Sequence, residues 1–281
     1  MWIVMKFISL KLRSLLLFVR NGFIMNTDYD WGAWRLSEIL AVLSGKGGTG
    51  KTSVCAGLAT ALAESGNRVL CIDCDVGLRN LDISLGMSQS AVLSFLEVCG
   101  DGYSLDWAAK HPVFSTLSFL TAPMNCSVEE IDKTAFHEML RKAQKKFDYI
   151  LLDAPAGVDA GFRLVTEVAD RFLVVTGAGP AAIRDASRVG ELLELAGKQN
   201  VRLIVNRVDR HLLSAVSLTI DDVMDTSGLP LIGVILEDPC VTLAASFEKP
   251  VLQYARRCDA ARAFRRIASR IQGFPEPIKL R

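Results

Sequence analysis

The chain has 281 residues, of which 50% are hydrophobic, and its formal net charge is +1. This length and composition suffice for one large hydrophobic core, and the small net charge gives no global electrostatic reason to expect a nucleic acid or a membrane as partner. The seven cysteines are scattered through apolar stretches. That usage is typical of a reducing cytoplasm and not of a disulfide framework.

Residues 1–35 differ from the rest of the chain, because 1–24 are mostly apolar but interrupted by basic side chains. These are Lys6, Lys11, Arg13 and Arg20. Four charges argue against a transmembrane span, and no small-residue cleavage site follows. Three of the charges recur every seven residues, which predicts a basic amphipathic helix that lies on a membrane surface. Three alternatives stay open: the segment packs on the body, it is disordered, or translation begins at Met25.

From Ile39 onward, short apolar runs alternate with segments of helical period. The predicted strands are Ile39–Leu43, Val69–Asp73, Leu117–Thr121, Tyr149–Asp153, Phe172–Thr176, Leu203–Asn206 and Leu231–Ile235. The predicted helices between them include Thr52–Glu64, Val128–Lys145 and Ala181–Ala196. This alternation indicates βαβ units, so the predicted fold class is α/β, with a mainly parallel sheet covered by helices on both faces. Ligands bind such sheets at the carboxyl ends of the strands.

The predicted organisation has three parts: an extension over residues 1–35, a body over 36–273 and a tail over 274–281. The tail belongs to the stretch GFPEPIKLR, which holds two prolines and shows no periodicity.

The segment SGKGGTGKT at residues 44–52 satisfies the phosphate-loop pattern G-x-x-x-x-G-K-[ST] between a predicted strand and a predicted helix. Its glycines let backbone N–H groups surround phosphate oxygens, and the following helix directs its positive end at them. Lys51 is expected to reach the β- and γ-phosphates, and the Thr52 hydroxyl to bind Mg²⁺. The residues predicted to hold the nucleotide here are Gly45, Lys46, Gly47, Gly48, Thr49, Gly50, Lys51, Thr52 and Ser53. In YILLDAPAG, Asp153 ends a second strand, where a carboxylate can hold Mg²⁺ through water.

Side chains alone indicate no other metal site. Cys71 and Cys74 form a C-x-x-C in the predicted strand RVLCIDCD, and residues three apart on a strand point to opposite faces. They are therefore predicted to be small core residues. The three histidines are far apart in sequence, and none has ligand spacing to a cysteine or carboxylate cluster.

The second lysine of the loop, Lys46, carries a resemblance. KGGTGKT resembles the deviant Walker A motif of the MinD/ParA superfamily of P-loop ATPases. Five further stretches are similar to segments of that family: CIDCDVGLRNLDISLG (71–86, switch I), DAPAG (153–157, switch II), IRDASR (183–188, a helix start), and VNRVD (205–209) and GVILED (233–238), both near the adenine. The similarity extends over residues 38–272, and GLRNLD points to the MinD-like members, which place the bacterial division site.

The resemblance implies an ATP hydrolase in which two subunits dimerise face to face around two ATP molecules with Mg²⁺. Lys46 would then contact the phosphates of the partner's nucleotide, where a cation stabilises both the dimer and the transition state. Asp75 would orient the attacking water, and Asp73 would support Mg²⁺ or its waters. The implied catalytic set is Lys46, Lys51, Asp75 and Asp153, and the implied metal set is Thr52, Asp73 and Asp153.

The adenine contacts that the resemblance implies are Asn206, Arg207, Asp238 and Pro239. The Asn206 amide can both donate to and accept from the base edge. Leu236 stands where the family often has a proline before the acidic pair. Arg207 stands where the N-K-x-D motif of GTPases has lysine, which favours ATP over GTP.

The ends of the chain depart from the family, whose MinD-like members carry a C-terminal amphipathic helix that enters the membrane. The tail, with its two prolines, is not expected to form one. The basic N-terminal segment is the candidate replacement. We therefore expect a cytoplasmic protein that attaches peripherally to the inner face of the cell membrane, with an anionic lipid surface and a protein activator or effector as partners.

An alternative class is a ParA-like or flagellar-number regulator that acts on DNA or a protein partner. The arginines 262, 266 and 270 share one stripe of a predicted helix. Such a stripe is usually a solvated face, but it could contact DNA phosphates or lipid. DNA is the less favoured partner.

Overall fold

The computed structural model describes residues 37–278, except for residues 78, 91–92, 101 and 210–218. All of these residues belong to one compact unit, Leu36–Arg281. The predicted amphipathic helix of residues 1–24 lies outside the described residues. No helix in the described part of the chain is long and apolar enough to cross a bilayer.

Within the described residues, eight strands form one sheet in the order β3-β4-β2-β5-β1-β6-β7-β8. The strands are β1 (Glu38–Leu43), β2 (Val69–Asp73), β3 (Ala109–Lys110), β4 (Leu117–Leu120), β5 (Tyr149–Asp153), β6 (Arg171–Thr176), β7 (Val201–Val208) and β8 (Leu231–Leu236). Neighbouring strands are parallel, apart from the antiparallel pair β3–β4. All seven predicted strands are present, and the short β3 was not predicted.

Helices cover both faces of this sheet, as the sequence predicts. In the described residues they are α1 (Lys51–Glu64), α2 (Leu81–Leu85), α3 (Phe95–Cys99), α4 (Lys133–Gln144), α5 (Ala160–Val168), α6 (Pro180–Leu195), α7 (Ile220–Ser227), α8 (Pro239–Ser246), α9 (Val251–Tyr254) and α10 (Asp259–Ile271), with 3-10 turns at Leu105–Trp107 and Val128–Glu130. Successive residues of β1 pack on opposite layers: Leu40 and Val42 contact the core of α1 and α10, whereas Ala41 joins the core of α4, α5 and α6.

The predicted helix Val128–Lys145 is wrong at its start. The 3-10 turn Val128–Glu130 ends before Asp132, and α4 begins at Lys133. The Asp132 carboxylate accepts hydrogen bonds from Thr134 N and Ala135 N. A side chain that caps a helix in this way marks where the helix begins. The apolar periodicity of the sequence continues across the break between the 3-10 turn and α4, and therefore does not reveal it.

The two cysteines of the C-x-x-C motif lie on opposite faces of the sheet, as predicted. Cys71 belongs to the core of α1 and α10, where its Sγ is 3.6 Å from that of Cys55. Cys74 belongs to the core on the other side. The motif is therefore not a shared metal or redox pair.

The helices α1 and α10 pack closely because α1 is built from small residues. Every residue from Val54 to Ala63 is buried, and Gly57 lies directly against the ring of Phe264. Glu64 at the end of α1 forms ion pairs with Arg265 at 2.5 Å and with Arg256 at 3.0 Å. The central helix is thereby held against the C-terminal one.

The described part of the tail also lies on α10. Arg270 donates hydrogen bonds to the carbonyls of Glu276 and Pro277, each at 2.8 Å, and to that of Ile232 at 2.7 Å. Arg266 forms a long ion pair with the Glu276 carboxylate at 4.0 Å.

We expect Gly57→Ala to lower the free energy of unfolding by about 1–3 kcal/mol, as overpacking substitutions do. A Cβ at this position would lie 2.7 Å from three ring atoms of Phe264, so the ring or the helix must move. The loss should occur although alanine is the better helix former by about 1 kcal/mol. Urea titration measures it, and a Gly57→Ala/Phe264→Leu double variant should lose less than the sum of the two single changes. A Gly57→Ala protein as stable as the parent would contradict the packing argument.

Candidate functional site

The phosphate-loop segment connects β1 to α1 at the carboxyl edge of the sheet. Gly50 precedes the helix with a φ of 83°, a left-handed conformation that favours glycine. A Cβ on Gly50 would also collide with the Asn206 amide, and one on Gly45 would lie 2.6 Å from the Asp185 carbonyl oxygen. The loop is thus in close contact with both β7 and α6. It contains every residue of the predicted phosphate site from Gly45 to Gly50.

The loop and the first turn of α1 present unpaired donors. The first intrahelical bond of α1 runs from Val54 N to Gly50 O, so the preceding N–H groups have no partner within the helix. The Thr49 hydroxyl is buried and has no hydrogen-bond partner among the described residues. Thr52 and Ser53 are half-buried in this first turn. Orphaned donors at a helix N-terminus fit the oxygens of a phosphate chain.

The loop contains one side of a buried ion pair, between Lys51 and Asp153. Lys51 Nζ lies 2.7 Å from the Asp153 carboxylate, and the two side chains are 6% and 1% exposed. Burial by itself lowers the pKa of Lys51, but the Asp153 carboxylate outweighs it, and the pKa is raised above its ordinary value. The lysine is therefore fully charged at the floor of the loop.

A second carboxylate stands beside Asp153 because β2 and β5 are neighbours in register. Asp73 and Asp153 are directly paired positions at the ends of these two strands. Burial, and then the nearby Asp153, raise the pKa of Asp73 to about 7. Its oxygens accept from Asp75 N at 3.0 Å and from Leu81 N at 3.3 Å, and these bonds oppose the shift. Two adjacent carboxylates and the Thr52 hydroxyl are hard oxygen ligands, which fits Mg²⁺.

Asp75 lies half-buried two residues after Asp73, in the segment 71–86 that resembles switch I. Burial raises the pKa of its carboxyl, although the Lys51 charge opposes the shift. The structure therefore brings together Lys51, Asp73, Asp75 and Asp153, which lie in three separate segments of the sequence. The resemblance assigns these four residues to one site.

Lys46 lies apart from this cluster, at the exposed mouth of the loop. Its Nζ is 3.5 Å from the carboxylate of Asp185 in α6, and the two side chains are 47% and 39% exposed. The stretch IRDASR (183–188) carries only a family resemblance, and nothing local to it indicates that Asp185 has a partner in the loop.

Asn206 and Arg207 support the loop from an irregular part of β7. The register with β8 shifts between Val205 and Val208, and Arg207 has a φ of 56°. Asn206 Nδ2 donates to the Thr49 carbonyl at 2.9 Å, which leaves the amide oxygen for another donor. Arg207 donates to the Gly48 carbonyl at 3.4 Å and to the Glu237 carboxylate at 2.9 Å. The sequence pattern does not indicate this contact of Glu237.

The Asp238 carboxylate is committed to backbone groups of two helices. Oδ1 accepts from Cys240 N in α8 at 2.9 Å, and Oδ2 accepts from Ala260 N in α10 at 3.0 Å. Pro239 is the first residue of α8. The predicted adenine contact at Asp238 and Pro239 would therefore fall to their backbone more readily than to the carboxylate.

Comparison with known proteins agrees with this geometry. The family model for the CobQ/CobB/MinD/ParA nucleotide-binding domain matches residues 40–251. The septum site-determining protein MinD of Synechocystis sp. is 35% identical over 240 residues, which cover 85% of this chain and 90% of that protein.

Solved structures give the same result. MinD in the MinC:MinD cell division complex of Aquifex aeolicus superposes with a TM-score of 0.80 at 33% identity, over 86% of this chain and 98% of that one. MinD of Pyrococcus horikoshii, solved with Mg-ADP, superposes with a TM-score of 0.74 at 29% identity, over 84% and 96% of the two chains. The chain therefore belongs to the MinD/ParA family of P-loop ATPases and is MinD-like within it.

Proposed function

We propose that the chain is a Mg²⁺-dependent ATPase that dimerises on ATP and regulates placement of the division site. The observation that supports this function is that one loop combines two lysines in different environments. Lys51 forms a buried ion pair with Asp153, whereas Lys46 is exposed at the mouth of the loop. The similar MinD structure with Mg-ADP and the MinC:MinD complex support the same nucleotide and a protein partner for this chain.

In the proposed binding step, Lys51 exchanges the Asp153 carboxylate for the β- and γ-phosphates. The loop N–H groups and the buried Thr49 hydroxyl then gain the acceptors that they lack among the described residues. Mg²⁺ would neutralise phosphate charge there, and Thr52, Asp73 and Asp153 would be the residues that hold it. The Asn206 amide oxygen would accept a hydrogen bond from the adenine amino group, since its Nδ2 donates to the Thr49 carbonyl.

In the proposed hydrolytic step, Asp75 accepts a hydrogen bond from the attacking water. Its backbone N–H donates to Asp73, so the position of Asp75 depends on the carboxylate at the end of β2. This coupling makes the water-orienting group sensitive to what is bound at Asp73.

Lys46 would act across the dimer. In the described monomer its ammonium group is paired with Asp185 of the same chain, in an exposed contact worth roughly 1 kcal/mol or less. Phosphates of a partner's nucleotide carry far more negative charge, so the lysine can leave Asp185 at little cost. Dimerisation would then depend on ATP in the partner.

The arginine stripe of α10 favours neither DNA nor lipid as its ligand. Arg262 is paired with Asp259 at 2.5 Å, and Arg266 and Arg270 contact the tail and the Ile232 carbonyl. These contacts weaken the alternative of a DNA-bound regulator. We assign peripheral membrane attachment to residues 1–24 on their sequence, because about 1 kcal/mol is available per basic residue near an anionic surface.

The first prediction separates binding from hydrolysis. Asp75→Ala should still bind ATP but lose about 10²- to 10⁴-fold in hydrolysis rate, since only the water loses its partner. Lys51→Ala should lose tight ATP binding. Calorimetric titration and phosphate release measure the two effects, with Asp106→Ala, a surface carboxylate paired with Lys146, as the control. An Asp75→Ala protein that hydrolyses ATP at the parent rate would remove the proposed role.

The second prediction concerns the exposed lysine of the loop. Lys46→Ala should bind ATP almost normally, because Lys51 and the loop amides remain, yet fail to dimerise and to hydrolyse ATP. Light scattering with and without ATP measures the assembly state. Lys142→Ala, another exposed lysine, should dimerise like the parent. A stable ATP dimer of the Lys46→Ala protein would refute action across the interface.

The third prediction tests where membrane affinity resides. Deletion of residues 1–24 should abolish ATP-dependent sedimentation with anionic liposomes and leave ATP binding intact. One short helix binds weakly, so two held in an ATP dimer should supply the avidity.

Truncation of the C-terminus is the control for this experiment. Removal of residues 279–281 should change little, whereas a cut before Glu276 would also remove carbonyls that bind Arg270. The N-terminal assignment fails if the protein that starts at Met25 sediments as the parent does.

A further inference from the structure

Two cysteines and an aspartate converge where α8 and α10 begin. One ligand atom from each of Asp238, Cys240 and Cys258 lies within 4.8 Å of the other two, and all three residues are half-buried. Asp238 and Cys240 follow β8, whereas Cys258 is the residue before α10. The fold, and not a local sequence motif, brings these side chains together.

Backbone hydrogen bonds hold two of the three ligand groups, the Asp238 carboxylate and the Cys258 sulfur, in place. The Asp238 carboxylate accepts from Cys240 N and from Ala260 N, and Cys258 Sγ accepts from Ala261 N at 3.4 Å. Each carboxylate oxygen has a second lone pair, and each sulfur can lose its proton. Such outer hydrogen bonds orient ligands in metal sites.

Two helix N-termini would offset the negative charge of a metal cluster at this position. The N-termini of α8 and α10 both meet here, and each contributes roughly half a positive charge. Two thiolates and one carboxylate around a divalent cation carry a net charge of −1, which these helix ends balance. In the protein without such a cation, burial raises the pKa of the Cys258 thiol to about 11 and also raises that of Cys240. Both thiols are then protonated at neutral pH.

We propose that Asp238, Cys240 and Cys258 form a binding site for a thiophilic divalent metal ion, with Zn²⁺ as the representative ion. Zinc takes sulfur and carboxylate ligands in tetrahedral geometry, and water would occupy the fourth position. Zn–S bonds of about 2.3 Å place ligand atoms somewhat under 4 Å apart, so a contraction of about 1 Å suffices. Binding releases the two thiol protons to solvent.

The ion would join α8 to α10 beside the nucleotide site. Asp238 directly follows Glu237, which is paired with Arg207, and Arg207 in turn contacts the Gly48 carbonyl of the loop. This metal site differs in chemistry from the oxygen site at Asp73 and Asp153, because thiolates prefer soft ions and carboxylates prefer Mg²⁺.

The test uses the full chain, reduced, desalted under argon and free of nucleotide, titrated with Co²⁺ and Cd²⁺ in the presence of excess Mg²⁺. We expect thiolate-to-metal charge-transfer absorption that saturates at one ion per chain and that Zn²⁺ displaces. Cys240→Ser and Cys258→Ser should each weaken Zn²⁺ binding by at least about tenfold in competition with a chromophoric chelator. Cys99→Ser and Cys126→Ser, half-buried cysteines elsewhere in the chain, serve as matched controls.

Thermal unfolding guards against a folding defect. Zn²⁺ should raise the melting temperature of the parent and of the two control variants, but not that of Cys240→Ser or Cys258→Ser. Cys→Ala versions of the same two positions should behave as the serine versions do. The proposal is overturned if the parent shows no charge-transfer absorption, or if changes at 240 and 258 leave Zn²⁺ affinity at the parent value. Neither outcome bears on ATP hydrolysis, so the two proposals fail independently.

Discussion

The arrangement of this site depends on the buried ion pair between Lys51 and Asp153. Both charges have left water, and their attraction in a low-dielectric interior must offset that desolvation. Asp73 adds a second carboxylate at the paired position of β2, and burial together with Asp153 raises its pKa to about 7. The site is thus poorly neutralised by its own residues. A phosphate would pair with Lys51, and a divalent cation would pair with the carboxylates.

The parallel sheet brings these charges together. β1, β2 and β5 are adjacent, so the loop after β1 and the carboxylates ending the other two strands meet at one edge. Asn206 and Arg207 of β7 hold the loop by hydrogen bonds to its carbonyls, and on the other side Gly45 packs closely against Asp185 of α6. Lys46 remains exposed at the mouth of this loop, where the proposed contact with a second subunit needs it.

Much of this could be predicted from the sequence because the relevant signals are local. Buried parallel strands appear in the sequence as apolar runs. The glycine–lysine pattern is recognisable because a phosphate site needs backbone N–H groups that can surround it and a cation beside it. The two-residue β3 gives no such run, and the break at Asp132 was hidden because apolar spacing continued across it. Asp185 and Glu237 were missed since each acts on a residue more than 29 positions away in the chain. Their partners are set by the tertiary fold alone.

Cysteine and arginine patterns show the same limit, because residues that share a sequence pattern need not share a site in the fold. The C-x-x-C at Cys71 and Cys74 is separated by the sheet, whereas Cys240 and Cys258, which share no motif, meet at two helix starts.

Likewise, the helical stripe of arginines in α10 suggests a solvated or ligand-binding face, yet its members bind Asp259, the tail and the Ile232 carbonyl. A guanidinium group already engaged by carbonyls and carboxylates must break those bonds before it can bind a phosphate. For Arg270, which donates to three carbonyls, that exchange gains little, because hydrogen bonds to charged groups are each worth about 1.5–3 kcal/mol. The proposed attachment to a lipid surface would therefore use basic residues outside this helix, and residues 1–24 contain four of them.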